Sequence, residues 1–135
     1  MKILSIAVPC YNSEAYMEKC IDSLLVGGEE VEILIVDDGS KDGTTEIADR
    51  YQEKYPTIVK AIHQENKGHG GAVNTGVENA TGLYFKVVDS DDWVNPEAYQ
   101  KILNVLAEVV RGPKTLDLLI LSLIHISEPT RRSYI

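Results

Sequence analysis

The chain has 135 residues, the size of one domain or of a part of one. Its apolar fraction of 44% can form a hydrophobic core and excludes an intrinsically disordered chain. The net charge of -8 makes nucleic acids and anionic membranes poor partners on bulk electrostatics. The two cysteines lack a metal-binding spacing and predict reduced thiols in a cytosolic protein, and no apolar stretch has the length of a transmembrane segment.

Short apolar runs alternate with amphipathic segments along most of the chain. The apolar runs predict strands over residues 2–8, 31–36, 58–63, 83–88 and 116–120. The amphipathic segments predict helices over residues 13–25, 45–55, 70–80 and 96–110. We expect Pro9 to end the first strand, Asn12 or Ser13 to cap the first helix, and Asn95 to cap the last one. This alternation is typical of an α/β fold with a mostly parallel sheet and helices on both faces.

Residues 121–135 do not continue the pattern, since they lack an amphipathic period and a polar loop where one is due. Within them, LSLIHISEPTR (121–131) resembles the conceptual translation of a widely used transposase sequencing adaptor. We therefore expect residues 1–120 to be the genuine chain and residues 121–135 to be a non-native read-through tail. The alternative is a natural strand that runs on as LLILSLIHI (118–126).

A polar or glycine-rich segment follows each of the first four predicted strands. These segments are PCYN (9–12), DDGSKDGT (37–44), QENKGHGG (64–71) and DSDDW (89–93). Because ligands bind beyond the carboxyl ends of parallel strands, we expect the four loops to form one binding site.

The DSDDW loop places Asp89, Asp91 and Asp92 close together at the end of an apolar strand. Like charges at this spacing repel one another unless a cation lies among them. A hard divalent cation prefers carboxylate oxygens, and the spacing of Asp89 and Asp91 allows both to approach one ion. The alternative is a solvated turn before the helix that Asn95 caps. The uncompensated repulsion favours the metal site.

The other loops each allow a functional and a structural interpretation. Asp37 and Asp38 could accept hydrogen bonds from a base or a sugar, or form a turn into the next helix. The ring of Tyr11 could stack on a flat base or pack on its neighbouring helix. Lys67 and the following glycines suit an anion held by backbone amides, whereas His69 is expected at the rim rather than as a base. Together the loops fit a nucleoside diphosphate.

The four loop segments, taken in order, resemble those of a known family. The ordered segments VPCYN, VDDGSKDGT, NKGHGGAVNTG and ATGLYFKVVDSDDW resemble the N-terminal half of the family-two inverting glycosyltransferases, which have the GT-A (Rossmann-like) fold. The resemblance covers residues 1–120. It implies transfer of a sugar, with inversion, from a nucleotide-diphospho-sugar donor, often UDP-linked, to a saccharide or lipid-linked acceptor. It also implies a fold that is incomplete at the C-terminus, and a role in polysaccharide biosynthesis is common in the family.

The resemblance implies roles for individual residues. The residues implied to bind the nucleotide sugar are Pro9, Tyr11, Asn12, Glu14, Asp37, Asp38, Gly39, Ser40, Lys67, Gly68, Asn74, Asp89 and Ser90. Asp89 and Asp91 match the family's metal-binding Asp-x-Asp, which would hold Mn²⁺ or Mg²⁺ against the phosphates of the donor.

Two departures from the family pattern limit how many of the family's residue roles can be assigned to this chain. Many members have Ala-Arg-Asn where this chain has Ala72-Val73-Asn74, so an arginine contact is missing or comes from elsewhere. The family's general base lies well downstream of Asp-x-Asp, and no carboxylate after Asp92 fits that position. We therefore expect a donor-binding half without a catalytic residue of its own and without turnover.

The sequence also allows two other interpretations. ILIVDD (33–38) also resembles the first strand of a phosphoacceptor receiver domain, with Asp89 as a later acceptor. Against it, a complete strand and helix come first, and no lysine ends a later strand where a receiver needs one. The second is a truncated product that does not fold stably, because uncovered strand edges aggregate.

Overall fold

The computed structural model describes residues 2–111 and 133–134. The strands are β1 (Leu4–Cys10), β2 (Val31–Asp38), β3 (Val59–Gln64), β4 (Tyr84–Val87), β5 (Trp93–Val94) and β6 (Ser133–Tyr134). The helices are α1 (Met17–Leu25), α2 (Thr44–Lys54), α3 (Gly68–Asn79) and α4 (Pro96–Arg111), and a short 3-10 turn spans Gly28–Glu30. The predicted strand over residues 116–120 lies outside the described residues. None of the helices in this part of the chain is long and apolar enough to cross a membrane.

Strands β1 to β4 form one parallel sheet in the order β3-β2-β1-β4. The steps from β1 to β2 and from β2 to β3 run one way across the sheet, and the step from β3 to β4 returns to the other side of β1. Because such crossovers are right-handed, α1 and α2 lie on one face and α3 lies on the other. The predicted parallel α/β sheet is therefore confirmed. Strands β5 and β6 pair in parallel as a separate two-stranded sheet, and the read-through origin of residues 121–135 stays a prediction.

Both faces of the sheet are covered by apolar side chains. Ile33 and Ile35 belong to a continuous core to which α1, α2 and α4 contribute. Successive side chains of a strand alternate, so the buried Leu34 points to the opposite face, where α3 packs on β1 and β2. There Gly76 lets α3 approach the sheet closely, since a Cβ at this position would lie 2.6 Å from the Cβ of Ala7.

β1 continues through Pro9, which corrects the prediction that the strand ends there. Pro9 pairs in register with Val36 of β2. On the other side, the β4 ladder ends at the pair of Ala7 and Val87, and the carbonyl oxygen of Ala7 accepts from the N–H of Val88. The nitrogen of Pro9, two residues further on, faces the same side, where β4 has already ended. A proline is tolerated there because no partner strand requires its missing N–H.

The first helix begins later than predicted, and neither Asn12 nor Ser13 caps it through its side chain. The helix begins at Met17, whose N–H donates to the carbonyl oxygen of Ser13. The hydroxyl of Ser13 is instead hydrogen-bonded to that of Ser90 at 2.9 Å. The cap predicted for α4 is confirmed, since the side-chain oxygen of Asn95 accepts from two N–H groups of the first turn, each at 3.0 Å.

A buried glutamate joins the strands at the amino edge of the sheet. Glu32 of β2 is only 2% exposed, and its carboxylate accepts from the hydroxyl of Ser5 at 2.8 Å. It also accepts from the N–H and the hydroxyl of Thr81, and it lies 2.9 Å from the ammonium group of Lys60. Burial raises the pKa of Glu32, but these contacts outweigh it and lower the pKa to about 2. One carboxylate thus holds β1, β3 and the turn before β4.

We predict that Glu32→Ala lowers the free energy of unfolding by about 1–3 kcal/mol, because it removes the acceptor of the buried Ser5 hydroxyl together with the contacts to Thr81 and Lys60. Urea denaturation of the 135-residue chain measures this change. The contribution of Glu32 is complete above the usual pKa of 4.5 and is lost as the pH falls toward 2. The matched control is Glu53→Ala on the exposed surface of α2, which should change stability by less than about 0.5 kcal/mol. An equal loss in both variants would contradict the role of Glu32.

Candidate functional site

A cleft of about 380 Å³ opens where β1 and β4 end. The strand order reverses between these two neighbours, which is the usual ligand position in an open parallel sheet. The lining residues are Pro9, Cys10, Tyr11, Tyr16, Asp38, Asn66, Gly68, His69, Ala72, Asp89, Ser90 and Asp91. The volume falls within the range of roughly 300–1,000 Å³ that is usual for small-molecule sites. Each of the four predicted loops contributes to the cleft, so the expected convergence of the loops is observed.

The structure divides the predicted site residues into two groups. Those that line the cleft are Pro9, Tyr11, Asp38, Gly68, Asp89, Ser90 and Asp91. Those that do not line it are Asn12, Glu14, Asp37, Gly39, Ser40, Lys67 and Asn74. The second group includes residues that shape the loops from behind, as the following contacts show.

Several lining residues carry no signal that sequence reasoning could use. Cys10 and Ala72 offer little polar chemistry and line the cleft only through their position. Tyr16 falls within the helix predicted over residues 13–25, but α1 begins after it and the residue is 42% exposed. Tyr11 is 50% exposed beside it, so two aromatic rings lie at the same cleft. His69 lies at the cleft with an exposed side chain, as predicted for a rim residue.

β2 is longer than predicted and includes two buried carboxylates, Asp37 and Asp38. Asp38 accepts hydrogen bonds from the N–H of Lys67 at 2.7 Å and from the N–H of Gly68 at 2.9 Å. The side-chain amide of Gln64 donates to it at 2.9 Å. The amides of Lys67 and Gly68, two of those that the sequence offers to an external anion, are therefore bonded to Asp38, which fixes the start of α3 while lining the cleft.

Asp37 holds the turn that follows β2. It accepts hydrogen bonds from the N–H of Ser40 at 3.0 Å and from the hydroxyl of Thr45 at 2.6 Å. Nδ1 of His63 lies 2.8 Å from the same carboxylate, and Nε2 of His63 lies 2.6 Å from Asp49 on α2. Burial raises the pKa of Asp37, but these partners outweigh it and lower the pKa. These contacts agree with the structural interpretation of Asp37, in which its carboxylate closes the turn after β2.

The loop after β1 is held on the loop after β2. The N–H of Asn12 donates to the hydroxyl of Ser40 at 3.0 Å, and the side-chain oxygen of Asn12 accepts from the N–H of Lys41 at 2.8 Å. The carboxylate of Glu14 accepts from the N–H of Gly43 at 3.0 Å. Asn12 adopts a φ of 50°, a left-handed conformation that asparagine tolerates better than most residues. Asn12 and Glu14 thus support the wall of the cleft through these contacts, although neither side chain lines the cleft.

The acidic residues after β4 converge as the sequence predicts. Asp89, Asp91 and Asp92 each place a carboxylate oxygen within 4.8 Å of those of the other two. Asp92, which was assigned no ligand role, is buried, and its N–H donates to the carbonyl oxygen of Asp89 at 3.0 Å. Nε2 of His69 lies 3.0 Å from the carboxylate of Asp89. A compact set of carboxylate oxygens is the donor set that a hard divalent cation prefers.

Both cysteines are free thiols, as predicted, and both are buried. Burial, with a smaller contribution from the charge of Asp37, raises the pKa of the Cys10 thiol to about 12. Cys10 is therefore a neutral thiol at physiological pH although it lies at the cleft, and it lacks the thiolate character of a nucleophile.

Comparison with known proteins gives the relationships of the chain. The sequence profile described as "Glycosyl transferase family 2" matches residues 5–110. Glycosyltransferase GlyA of Streptococcus pneumoniae serotype 4 is 39% identical over 114 residues, which cover 81% of this chain and 16% of GlyA. The family resemblance that the sequence predicts is therefore confirmed, and it argues against the receiver domain.

Two solved structures share the fold. S. aureus TarS 1-349 in complex with UDP-GlcNAc has a TM-score of 0.69 and 32% identity, with coverage of 80% of this chain and 32% of TarS 1-349. The mannosyltransferase PcManGT from Pyrobaculum calidifontis, in complex with GDP-Man and Mn²⁺, has a TM-score of 0.68 and 25% identity, with coverage of 77% and 32%. The chain thus spans less than a third of the length of each of these relatives.

We predict that Asp38→Asn lowers the free energy of unfolding by about 1–3 kcal/mol, because an amide cannot replace every acceptor position of the carboxylate. The amides of Lys67 and Gly68 should then exchange with solvent faster, which hydrogen exchange by NMR measures. Glu65→Gln, in the same loop but exposed, is the matched control and should leave both quantities unchanged. Unchanged exchange of Lys67 and Gly68 in Asp38→Asn would show that Asp38 does not hold this loop.

Proposed function

Because the chain belongs to glycosyl transferase family 2, we propose that it is the donor-binding part of a glycosyltransferase and that its cleft holds a nucleotide-diphospho-sugar. The observation that carries the proposal is the meeting of an exposed aromatic ring, a buried carboxylate and an acidic cluster at one cleft. Tyr11, Asp38 and Asp89 supply these features from three different loops. Structural relatives bound to UDP-GlcNAc and to GDP-Man support a donor of this class.

The base and the ribose fit the side of the cleft formed by Tyr11 and Asp38. The exposed ring of Tyr11 offers a flat surface on which a base can stack. A carboxylate has about four acceptor positions, and hydrogen bonds from Gln64, Lys67 and Gly68 occupy three on Asp38. The oxygen of Asp38 that accepts from the N–H of Gly68 has one acceptor position left. This position suits one donor from the ligand, either a ring N–H or a sugar hydroxyl. We propose a uracil base, and thus a UDP-sugar, for this site.

The acidic cluster fits a divalent cation, Mn²⁺ or Mg²⁺. Asp89, Asp91 and Asp92 would hold it, because their oxygens lie close enough together to share one ion. A solved relative contains Mn²⁺ together with GDP-Man, which supports a metal in this class of site. When bound, the ion supplies Lewis-acid stabilisation to the leaving diphosphate. The N–H of Asp92, which donates to the carbonyl oxygen of Asp89, keeps the cluster compact.

We propose that the parent protein transfers the sugar to an acceptor hydroxyl with inversion, whereas this chain binds the donor without turnover. An inverting attack needs a base on the face opposite the leaving group. Within residues 2–111, the carboxylates that line the cleft are Asp38, Asp89 and Asp91. The first is committed to the loop before α3, and the other two are assigned to the cation. The base therefore belongs to a part of the parent outside these residues.

We predict that UDP and Mn²⁺ together, but neither alone, raise the melting temperature of the 135-residue chain. A ligand that binds only the folded state adds about 2.7 kcal/mol at a hundred times its dissociation constant. Asp91→Asn should abolish the shift, because it removes a carboxylate from the cluster, while Glu46→Gln on α2 should retain it. A cooperative melt that is indifferent to both additions would refute the proposed site. The absence of a cooperative melt would favour the truncated, unstable product.

We predict that the chain releases no UDP from a UDP-linked sugar in the presence of Mn²⁺ and a mixture of saccharide acceptors. The physical reason is the missing base, without which the acceptor hydroxyl stays protonated and is a poor nucleophile. A coupled UDP assay, run on protein that shows the melting shift above, measures release against a blank without protein. Sustained release with formation of an inverted glycoside would show that the described residues include the base.

A further inference from the structure

We propose that His63 is a positioning residue, whose protonated ring holds the loop after β2 in the shape that the nucleotide requires. The inference rests on the proposed function, since it assigns a role in binding to a residue that does not line the cleft. His63 lies in β3 and acts through Asp37 rather than on the ligand.

The two contacts of the ring require the protonated form. Nδ1 of His63 lies 2.8 Å from a carboxylate oxygen of Asp37, and Nε2 lies 2.6 Å from one of Asp49. An ionised carboxylate only accepts hydrogen bonds, and a neutral imidazole carries one N–H. A neutral ring would therefore place a lone pair against one of the two carboxylates, whereas the imidazolium donates to both. The protonated ring is the form that bridges β3 to β2 and to α2.

The charged groups that act on His63 come from both elements packed against it. They are Asp37 at the end of β2 and Asp49 on α2. Partial burial lowers the pKa of His63, but the hydrogen bonds and charges of the two aspartates outweigh it and raise the pKa above 6.5. The bridge is therefore complete below about pH 6.5 and is lost as the pH rises through the folded-state pKa. The ring is 38% exposed, so protons reach it without unfolding.

A short chain of hydrogen bonds connects this bridge to the cleft. Asp37 also accepts from the N–H of Ser40 at 3.0 Å, and the hydroxyl of Ser40 accepts from the N–H of Asn12 at 3.0 Å. Asn12 follows Tyr11, the exposed ring at the cleft. When His63 loses its proton, Asp37 loses the positive charge that neutralises it in its buried position. We expect the turn at Ser40, and with it the cleft wall at Tyr11, to become less well held.

The affinity for UDP at saturating Mg²⁺, measured by calorimetry from pH 6 to pH 8.5, tests the inference. His63→Gln keeps a donor but no charge, so the wild type should bind UDP roughly three- to tenfold more tightly at pH 6, and this ratio should fall toward one as the pH rises through the folded-state pKa of His63. The phosphate of UDP titrates in the same range, but it is common to both proteins and its effect cancels in the ratio. In the background Asp49→Asn, the affinities with and without His63→Gln should become equal at a lower pH, because one of the two carboxylates that raise the pKa of His63 is removed. In the background Glu53→Gln, also on α2, that pH should be unchanged.

A second measurement needs no nucleotide. Hydrogen exchange of the Ser40 and Asn12 amides should be faster in His63→Gln than in the wild type below pH 6.5, and the rates should converge as the pH rises through the folded-state pKa of His63. If UDP binds neither protein while this difference persists, the proposed function fails and the hold of His63 on the loop stands. If UDP binds with an affinity ratio that does not vary with pH, the inference is overturned whatever the exchange rates show. Identical exchange in the two proteins at every pH also overturns it.

Discussion

The cleft depends on the need of two buried carboxylates, Asp37 and Asp38, for hydrogen-bond donors. A buried charge without partners is strongly unfavourable, so the chain around these residues must supply donors. Those donors come from the turn after β2, from β3 and α2, and from the start of α3. The loops that enclose the cleft are thus arranged around a pair of acids at one strand end. Only Asp38 then contributes to the cleft surface, and its neighbour serves the fold.

A third buried acid, Glu32, lies at the opposite edge of the sheet, and the two edges differ in what they connect. Glu32 joins the amino ends of β1 and β3 to the turn before β4, all within the scaffold. The carboxyl edge joins loops that carry exposed aromatic and acidic groups. A single parallel sheet thus uses the same device, a satisfied buried carboxylate, for rigidity at one end and for the shape of a binding surface at the other.

Local patterns predicted those parts of the fold and the site that depend on neighbours in sequence. α4 was well placed because Asn95 and Pro96 start it and a strong apolar period follows, and the acidic cluster was found because three close carboxylates are unusual after a buried strand. The errors arise where distant partners compete. The local sequence favours Ser13 as a helix cap, but its hydroxyl is hydrogen-bonded to the hydroxyl of Ser90, 77 positions away. The bridge of His63 to Asp49 joins different elements, and no periodicity reveals it.

Pro9 has an effect on the cleft that goes beyond its tolerance in the strand. Two parallel strands gain hydrogen bonds with each further residue pair. The observed pairing of β1 with β4 ends at Val87. The pyrrolidine nitrogen on that side carries no hydrogen, so the next rung would lack a donor. Pairing of β1 with β4 therefore stops after the hydrogen bond from Val88 to Ala7, and the two strand ends stay unpaired at the cleft. Because Pro9 cannot donate a backbone hydrogen bond to β4, the space of the cleft between the two strand ends is left open.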